Sequence, residues 1–518
     1  MAQPFYITTA INYPNGRPHI GHAYEAIAAD AIARFQRLTG RDVRFQTGTD
    51  EHGLKMVQTA RDRGVPVRAL ADEMSSYFRE MADKLNISCD RFIRTTDADH
   101  YAASQAIWQA MAEAGDLYLA RYEGWYSVRD EAFYDEKELV GEGDAKLSPQ
   151  GTPVEWTAEE SWFFRLSKYQ QPLLDFYAAH PEFIQPESRR NEVLRFVEGG
   201  LSDLSVSRTS FDWGVPVPGS PGHVMYVWVD ALTNYLTGTG YPAWDGDLTR
   251  YWPADLHLIG KDIVRFHAVY WPAFLMSAKL PLPKRVFGHG FVLARDGAKM
   301  SKSAGNVADP LALADAFGVD ALRYFLLRDI SFGQDGTWSE EAIVSRANAD
   351  LANSFGNLAQ RTLSQIFKNL DGALPAINGH DAADIALLET VDGAVRGGMR
   401  RAFEALALSQ ASEAWMQAVF ACNAYIDEQA PWTLRKTDPA RMETVLATLY
   451  ICIAQLAVAI APVIPASAAK LLDAMGIAPE LRGLEAIGGH WYSPLAESGF
   501  RLAQPVPLFP RLELPAAA

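Results

Sequence analysis

Two short motifs, far apart in the chain, combine residue types that can handle phosphate groups. The first is His19-Ile20-Gly21-His22, and the second is Lys299-Met300-Ser301-Lys302-Ser303. Imidazoles can donate hydrogen bonds to a phosphate that gains charge as it is attacked, and lysines are compact point charges suited to further phosphates. Either motif alone is a weak signal, because histidine and lysine pairs also occur in ordinary turns. Together they indicate a nucleotide-binding site.

The residues around the first motif predict a strand, a turn and a helix. Residues 5–11 are mostly β-branched and aromatic, as in a buried strand, and residues 13–16 are a turn signal. Apolar residues recur at helical spacing over 22–38, and Gly40 stands at the expected C-terminal cap. The motif is therefore expected at a helix N-terminus, which favours anions, with Gly21 allowing a nucleotide to approach the backbone.

The lysine motif follows a strand-like run over residues 290–294 and is bracketed by Gly297 and Gly305. Glycines at both ends suit a loop that opens and closes. Lys299 and Lys302 suit the β- and γ-phosphates of ATP. A solvated basic turn is the alternative interpretation, which the presence of the histidine motif disfavours.

Composition limits the class of protein. The chain has 518 residues, 48% hydrophobic and 21% charged, so three or four ordinary globular domains are expected. Its three cysteines are widely separated, which indicates a reducing compartment without disulfides. We see no secretory leader, and the most apolar run, residues 451–465, is predicted to be a core helix too short and alanine-rich to span a membrane. A cytoplasmic protein is expected.

The formal net charge of −16 opposes a nucleic-acid role at first sight, because Lys and Arg dominate phosphate binding. It is a weak objection, since a large acidic enzyme can still present a local basic face.

Five segments of different pattern divide the chain, with expected boundaries at residues 1–115, 116–216, 217–305, 306–345 and 346–518. The first and third combine strands, such as 224–229 and 256–259, with helices, as in the two halves of a nucleotide-binding fold. The second, rich in Trp, Tyr, Arg and acidic residues, looks like an insertion. The fourth is a linking region. The fifth is helical, with periodic apolar residues over 348–367, 384–407, 409–428 and 441–472.

Two nucleotide-binding halves split by an insertion and followed by a helical bundle resemble the class I aminoacyl-tRNA synthetases, and so do the two motifs. Six runs resemble the methionyl-tRNA synthetase family in particular: residues 5–22, TGTDEHG at 47–53, MYVWVDAL at 225–232, HLIGKDIVRFH at 257–267, DEQAPW at 427–432 and PLFPR at 507–511. The resemblance covers nearly the whole chain. It implies an α/β Rossmann-type catalytic domain split by a connective-peptide insertion, followed by an all-α anticodon-binding bundle.

The activity implied by this resemblance is ATP-dependent attachment of L-methionine to tRNA(Met) through methionyl-adenylate, with release of AMP and diphosphate. The catalytic residues implied are His19, His22, Lys299 and Lys302. ATP would be bound by these together with Gly21, Gly260, Asp262 and Ser301. Mg²⁺ is expected with ATP, held largely by phosphates and water.

Asp50 follows a strand predicted over residues 43–47, where open α/β sheets bind ligands. In the family the matching aspartate holds the α-ammonium of methionine, a role that suits a carboxylate. The other positions implied around the amino acid are Ile11, Tyr13, Trp228, Tyr235, Ile263 and His267. Aromatic edges suit the thioether of methionine. A lone Trp in a strand is more often a core residue, but the motif around Trp228 favours contact with the amino acid.

The resemblance also implies that Asn357, Arg361 and Trp432 read the CAU anticodon. The first two lie at positions i and i+4 and so share one helix face. An exposed Trp can stack on a splayed base, worth about 1–3 kcal/mol. The alternative interpretation is that Asn357 and Arg361 form an ordinary surface pair and that Trp432 is buried in the bundle.

One departure from the family concerns zinc. Many members carry a zinc knuckle of paired cysteines in the insertion, but here Ser127 and Asp130 stand where the first pair would be, and residues 125–151 contain no Cys or His. Structural zinc usually needs four N or S donors, so no zinc is predicted. Aromatic packing is expected to hold the hairpin instead, with anchors Trp125, Tyr126, Phe133 and Tyr134. No further domain follows the helical part, so a monomer is expected.

Three alternatives stay open at this point. A valine- or cysteine-specific class I synthetase would share the ATP motifs but should lack DEQAPW. A catalytically silent tRNA-binding protein would need none of the intact histidines, lysines or Asp50. A small nucleotidyltransferase would not need the helical C-terminal third.

Overall fold

The structure is a computed structural model that describes residues 2–127, 132–134, 136–140, 146–298, 300 and 307–514. Lys299, Ser301 and Lys302 of the lysine motif lie outside the described residues, and so does Asp130. Met300, between the two lysines, is half-buried and packs against the main hydrophobic core.

Strands and helices alternate over the first 115 residues, as predicted. Their bounds are β1 Pro4–Thr9, α1 Ile20–Leu38, β2 Asp42–Thr49, α2 Leu54–Arg63, α3 Val67–Lys84, β3 Arg91–Arg94 and α4 Ala98–Glu113. Strand β1 ends at Thr9, earlier than the predicted end at residue 11. Gly40 follows the C-cap of α1 with a φ of +85°, the left-handed conformation that glycine adopts readily, so the predicted helix end is confirmed.

Residues 116–216 form a mostly antiparallel unit with two helices. Its elements are β4 Leu117–Ser127, β5 Ala132–Tyr134, β6 Glu155–Phe164, α5 Gln170–Ala179, β7 Ile184–Gln185, α6 Glu187–Glu198, β8 Leu204–Ser205 and β9 Ser207–Arg208. Four strands form a sheet in the order β5-β4-β6-β8. The long β4–β6 hairpin pairs Leu117 with Phe164 at its base.

The next segment returns to alternating elements: β10 Val224–Met225, α7 Val227–Thr237, β11 Leu256–Gly260, α8 Trp271–Ser277, β12 Val286–His289 and β13 Val292–Leu293. The prediction of one strand over 224–229 is wrong, because the strand ends at Met225 and Val227 opens helix α7. A short, fully apolar run fits a buried strand and a buried helix equally well, so periodicity could not decide between them.

Beyond residue 306 the described chain is almost entirely helical. The elements are α9 Pro310–Phe317, α10 Val319–Asp329, β14 Gly336–Thr337, α11 Glu340–Arg346, α12 Asn357–Asn369, α13 Ala382–Asp392, α14 Arg400–Glu404, α15 Leu408–Gln429, α16 Pro431–Thr437, α17 Pro439–Ile460, α18 Pro465–Ala474, α19 Leu484–Ile487 and α20 Tyr492–Glu497. The helix predicted over 441–472 is two helices, because the chain turns at Pro462 and Pro465 starts a new helix at its first position.

Helix α17 carries most of the apolar run noted in the sequence. The whole helix, which begins twelve residues before that run, is long and apolar enough to cross a membrane by length and composition alone. Its most apolar window is 89% buried inside the protein, however, which confirms the expected core helix.

Six parallel strands form the central sheet, in the order β3-β2-β1-β11-β12-β7. Strand β1 pairs with β2 and β11, so that Ile7 lies opposite Phe45 on one side and Leu256 on the other. Strand β7 comes from the 116–216 segment, so part of the predicted insertion supplies an edge of this sheet. Alternate residues of β1 face opposite layers: Phe5 belongs to the core shared with α1 and the helical part, and Tyr6 to the core shared with α4, α7 and α8.

A buried ion pair joins the sheet layer to the helical part. Asp30 on α1 and Arg323 on α10 are both fully buried, and Arg323 Nη2 donates to Asp30 Oδ2 over 2.6 Å. The guanidinium also donates to the carbonyl oxygens of Leu85, Pro462 and Val463 over 3.1, 2.9 and 3.0 Å. One side chain therefore ties α1, the end of α3 and the turn between α17 and α18.

Replacing Arg323 with leucine should destabilise the protein strongly. Burial alone would raise the pKa of Asp30, but Arg323 and Arg34 lower it below the ordinary value, so the carboxylate is charged and needs its partners. Breaking one side of a buried ion pair costs about 3–5 kcal/mol, and we expect the first thermal unfolding transition to fall by several degrees. Arg63→Leu, which removes only an exposed pair with Glu73, should cost less than about 1 kcal/mol. Similar losses in both variants would contradict this role.

Candidate active site at the carboxyl edge of the sheet

The carboxyl ends of the central strands bring the predicted site residues to one edge of the sheet. His19 lies in the segment after β1, Asp50 directly follows β2, and Gly260 ends β11. His289 ends the neighbouring strand β12. The chain leaves β1 toward β2 on one side and reaches β11 on the other, which makes this edge a topological switch point, the usual ligand position in open α/β sheets.

The two motif histidines cap helix α1. His19 is the N-cap residue, and its Nδ1 accepts from the backbone N–H of Gly21 over 3.1 Å. His22 Nδ1 accepts from the backbone N–H of His19, also over 3.1 Å. Because each Nδ1 accepts, each neutral ring carries its proton on Nε2, which makes Nε2 a donor. The rings stack with centroids 3.7 Å apart, so two donors lie side by side at the positive end of a helix, as a phosphate requires.

Gly21 has a structural reason beyond the one predicted. A Cβ at this position would lie 2.9 Å from His19 Cε1 and 3.0 Å from His19 Nδ1. Any side chain would therefore push the His19 ring out of its capping position. The sequence alone suggested only that glycine lets a nucleotide approach the backbone.

Three residues expected around the amino acid form one hydrogen-bonded chain. Tyr235 Oη lies 2.6 Å from His267 Nε2, and His267 Nδ1 lies 3.0 Å from the carbonyl oxygen of Ile263. A carbonyl can only accept, so His267 carries its proton on Nδ1 and accepts the Tyr235 hydroxyl at Nε2. Burial lowers the pKa of His267 to about 4 and raises the pKa of Tyr235 well above its ordinary value. Both groups are uncharged near neutral pH.

Trp228 lies on helix α7, not on a strand as predicted. The helix places it two turns before Tyr235, on the same face. Its ring stacks on Phe266 with centroids 3.8 Å apart and meets His267 edge-on at 5.9 Å. Residues Phe266–Tyr270 form a π-helical turn, a feature frequent at functional sites. The structure thus joins Trp228 to the Tyr235–His267 pair.

Ile11 and Tyr13 lie between β1 and α1, and both are half-buried. The backbone carbonyl oxygen of Asn12, which lies between them, accepts a hydrogen bond from the backbone N–H of Asp50 over 2.8 Å. This contact brings the predicted pocket residues of the first loop to the end of β2, where Asp50 is almost fully buried.

A buried carboxylate fastens the Asp50 loop to helix α7. Asp230 is fully buried, with Oδ2 2.6 Å from His52 Nδ1 and Oδ1 2.6 Å from His100 Nε2. Burial alone would raise the pKa of Asp230, but the two imidazoles lower it to about 2. His52 lies two residues after Asp50, and Asp230 two residues after Trp228, so the bridge connects two walls of the candidate pocket. This bridge was not predicted from the sequence, although His52 lies in the TGTDEHG run and Asp230 in the MYVWVDAL run.

A second buried pair was also not predicted. Glu25 Oε2 lies 2.8 Å from His289 Nε2. Burial raises the pKa of Glu25, while this hydrogen bond raises the pKa of His289 against the effect of burial, and the nearby Asp262 charge raises both. A Cβ on Gly260 would lie 2.7 Å from Asp262 Oδ1, so that carboxylate lies across the end of β11. The one sequence signal for Glu25 was its position three residues after His22 in the first motif. Nothing in the sequence around His289 indicated a role for that residue.

The described flanks of the lysine motif reach helix α1. Before the motif, Gly297 has a φ of +79° and donates to the carbonyl oxygen of Ala294 over 2.9 Å. After it, the carbonyl oxygen of Ala308 accepts the backbone N–H of Ile20 over 3.1 Å. The placement of Lys299, Ser301 and Lys302 stays a prediction.

The residues expected to read an anticodon share one surface of the helical part. Arg361 Nη2 donates to Asp427 Oδ1 over 2.6 Å, and its guanidinium carbon lies 5.5 Å from the ring centre of Trp432. Trp432 is 42% exposed, so it is not a core residue. Asn357 is exposed one turn before Arg361 on α12.

Ser127, which the resemblance places where a zinc-binding cysteine would be, belongs to a small cluster of hydroxyl groups. Thr152 Oγ1 lies 2.7 Å from Ser127 Oγ and 2.8 Å from Ser148 Oγ, and all three side chains are buried. These are not the thiolate or imidazole donors that zinc prefers. The described residues contain no group of three His, Cys, Asp or Glu side chains that could hold a metal ion.

Comparisons with known proteins agree with this architecture. Residues 5–146 and 143–363 match the family model described as tRNA synthetases class I (M), and residues 374–487 match the anticodon binding domain of methionyl tRNA ligase. A methionine–tRNA ligase of Brucella suis is 57% identical over 510 residues, 98% of each chain. A methionine–tRNA ligase of Mycobacterium bovis is 57% identical over 519 residues, 99% of each chain.

Solved structures match over the same extent. The methionyl-tRNA synthetase of Mycobacterium tuberculosis in complex with methionyl-adenylate superimposes with a TM-score of 0.93 at 56% identity, covering 98% of this chain and 100% of that one. The free form of that enzyme superimposes with a TM-score of 0.88 at 53% identity, covering 99% of both chains. With its Rossmann-type sheet split by an insertion and its helical C-terminal part, the chain belongs to the methionyl-tRNA synthetase family of class I aminoacyl-tRNA synthetases.

Proposed function

We propose that the protein activates L-methionine with ATP to give methionyl-adenylate and diphosphate, and then transfers the methionyl group to the terminal adenosine of tRNA(Met), releasing AMP. One observation supports the proposal most directly: the capping histidines of α1, Asp50 and the Tyr235–His267 pair belong to segments that follow, or pack beside, the neighbouring strands β1, β2 and β11 at the switch point of the sheet. A relative solved with methionyl-adenylate shares this fold throughout.

Methionine-dependent exchange of label between pyrophosphate and ATP tests the first step, and charging of tRNA carrying a CAU anticodon tests the second. We expect exchange with methionine and not with valine or cysteine. Absence of exchange, or exchange driven by another amino acid, would contradict the proposal.

In the first step the methionine carboxylate attacks the α-phosphate of ATP in line, and pyrophosphate leaves. No protein nucleophile is required, so positioning and charge stabilisation supply most of the catalysis. We assign stabilisation of the reacting phosphate to the Nε2 donors of His19 and His22 at the positive end of α1, with Gly21 keeping His19 in place. Lys299, Ser301 and Lys302 would bind the leaving pyrophosphate as its charge grows.

The adenosine would lie over the end of β11. Gly260 leaves room for the Asp262 carboxylate at this strand end, and that carboxylate can accept hydrogen bonds from ribose hydroxyls. Mg²⁺ would arrive with ATP, held by phosphate oxygens and water; the described residues offer no cluster of protein ligands for it.

The amino acid would lie between the first loop and α7. The Asp50 carboxylate suits the α-ammonium, and aromatic edges suit the thioether. Because His267 and Tyr235 are neutral, a charged side chain would lose hydration here without gaining a partner. We assign the enclosing wall to Ile11, Tyr13, Trp228, Tyr235, Ile263 and His267.

The helical part would bind the anticodon through Asn357, Arg361 and Trp432. We assign the catalytic halves to residues 1–115 and 217–305, the connective peptide to 116–216, the linking region to 306–345 and the anticodon-binding domain to 346–518. Free cysteines at 89, 422 and 452 support a reducing, cytoplasmic location. The protein is proposed to act as a monomer, which light scattering of the purified chain tests.

Replacing Trp432 with alanine should impair tRNA charging about tenfold or more, because a stacked base contributes about 1–3 kcal/mol. Methionine-dependent exchange should be nearly unchanged, since the side chain is exposed and belongs to the helical part. Leu248→Ala, another exposed apolar truncation on the sheet layer, is the control. Equal loss of charging and exchange in Trp432→Ala would assign the side chain to folding instead.

The Asp230 bridge predicts a selective kinetic defect. Asp230→Asn keeps the shape of the side chain but turns one acceptor into an amide donor that faces an imidazole N–H. The Asp50 loop and α7 should lose their fixed spacing, so KM for methionine should rise about tenfold while KM for ATP changes little. Asp42→Asn, at the opposite end of β2, is the control. Equal increases in both KM values would indicate a general disturbance.

The same variant has a predicted pH dependence. The pKa of Asp230 is about 2 in the folded protein against an ordinary 3.8, so its charge contributes stability above about pH 4 that is lost as pH falls toward 2. This contribution is about 2 kcal/mol. The difference in unfolding midpoint between wild type and Asp230→Asn should shrink as pH falls from about 4 toward 2. A difference that widens over this interval would contradict the assignment.

We also propose that the protein needs no zinc. Ser127 stands where the family's zinc knuckle would need a thiolate, and its hydroxyl contacts Thr152, which in turn contacts Ser148. Elemental analysis should give far less than one zinc per chain, and prolonged chelation followed by restored Mg²⁺ should leave methionine activation unchanged. Stoichiometric zinc would show that ligands assemble from elsewhere in the chain.

A further inference from the structure

A large cleft lies at the edge of the sheet opposite the candidate active site. It has a volume of about 750 Å³, and a neighbouring hollow of about 400 Å³ shares with it a wall made of Phe5, Arg41 and Arg285. Phe5 is near the amino end of β1, and Arg285 directly precedes β12. The residues of the candidate active site follow the carboxyl ends of these strands. The length of a strand, about 3.3 Å for each residue, therefore separates the two sites.

Arg41 and Arg285 face this cleft without an ion-pair partner among the residues that the structure describes. Arg285 Nη1 donates only to the backbone carbonyl of Glu404, over 3.4 Å, and the Arg41 guanidinium lies 5.3 Å from the centre of the Phe5 ring. Burial lowers the pKa of Arg285, and the positive charge of Arg41 lowers it further. The Asp255 carboxylate shifts the pKa of Arg285 in the opposite direction. Two partly desolvated cations thus lie close enough to repel each other.

Two of the carboxylates that line the cleft and the hollow already pair with other cations. Asp255 pairs with Lys284 at 2.7 Å and Glu404 with Arg400 at 3.1 Å, while Glu182 lies 3.5 Å from the His180 imidazole. Asp255 also accepts the backbone N–H of Tyr6 over 2.9 Å. The local acidic groups therefore leave Arg41 and Arg285 for an anion from outside the protein.

The walls of the cleft narrow the class of ligand. Phe176 and Leu282 are half-buried and, with Phe5, add apolar surface to the lining of the larger cavity. A volume of this size suits a small molecule rather than a single ion. Arginine forks match the geometry of phosphate oxygens.

We propose that this cleft is a second binding site, which takes a phosphate dianion carried by a small molecule of nucleotide size. The phosphate would pair with Arg41 and Arg285, and the planar base would pack against Phe176 and Leu282. Arg400 and Glu404 of α14 line the smaller hollow, so an occupied cleft would connect the sheet to the helical part. The proposal is independent of the reaction at the opposite edge.

Calorimetric titration of the full chain tests this, with the active site saturated by a non-hydrolysable methionyl-adenylate analogue. AMP and inorganic phosphate are the probes, titrated separately. We expect one equivalent of AMP to bind, each of Arg41→Gln and Arg285→Gln to weaken it about tenfold, and the double variant to weaken it about a hundredfold. Arg501→Gln removes the same charge from an exposed pair with Asp371 and should leave binding unchanged. Unchanged methionine-dependent exchange without added ligand would show that the variants fold.

Each outcome decides the matter. Inorganic phosphate that binds as tightly as AMP and is lost in the double variant would support the phosphate site and assign it to the free anion. No binding of either probe, or equal binding by wild type and double variant, would overturn the proposal. A double variant that loses affinity for tRNA while neither probe binds would make the cleft an RNA contact and overturn it as well.

Discussion

Strand β1 pairs with β2 on one side and β11 on the other, and because all three run parallel, their carboxyl ends open a single crevice. Helix α1 begins there, so the positive end of its dipole and the imidazoles of its two motif histidines lie at this crevice, where a phosphate is proposed to bind. The same helix carries Asp30, whose buried pair with Arg323 reaches the turn between α17 and α18. Helix α1 therefore connects the carboxyl edge of the sheet to the helical part of the protein.

Charge is distributed unevenly around this crevice, in a way that fits the proposed chemistry. The groups proposed to meet charged parts of the substrates are ionic or strong donors: Asp50, and the imidazoles of His19 and His22. The wall proposed for the thioether is neutral, because burial holds the pKa of His267 at about 4. Asp230 is charged yet satisfied by two imidazoles, so it fixes the wall without presenting its charge to the pocket.

Local signals in the sequence predicted the features that depend on a few neighbouring residues. The turn and capping pattern around His19, the helix end at Gly40 and the position of Asp50 after β2 are all found in the structure. Residues 224–229 were predicted wrongly because an apolar run fits a buried strand or helix. The bridge at Asp230 and the Glu25–His289 pair could not be predicted, since their partners come from distant segments that only the sheet order brings together.

The most direct test is a crystal structure of the full chain with a non-hydrolysable methionyl-adenylate analogue. We expect the α-ammonium within hydrogen-bond distance of the Asp50 carboxylate, the thioether against the Tyr235–His267 pair, and the phosphate mimic at the first turn of α1 beside the Nε2 atoms of the two motif histidines. An analogue bound elsewhere, or an ammonium held by another carboxylate with the first turn of α1 left without a contact, would contradict this expectation.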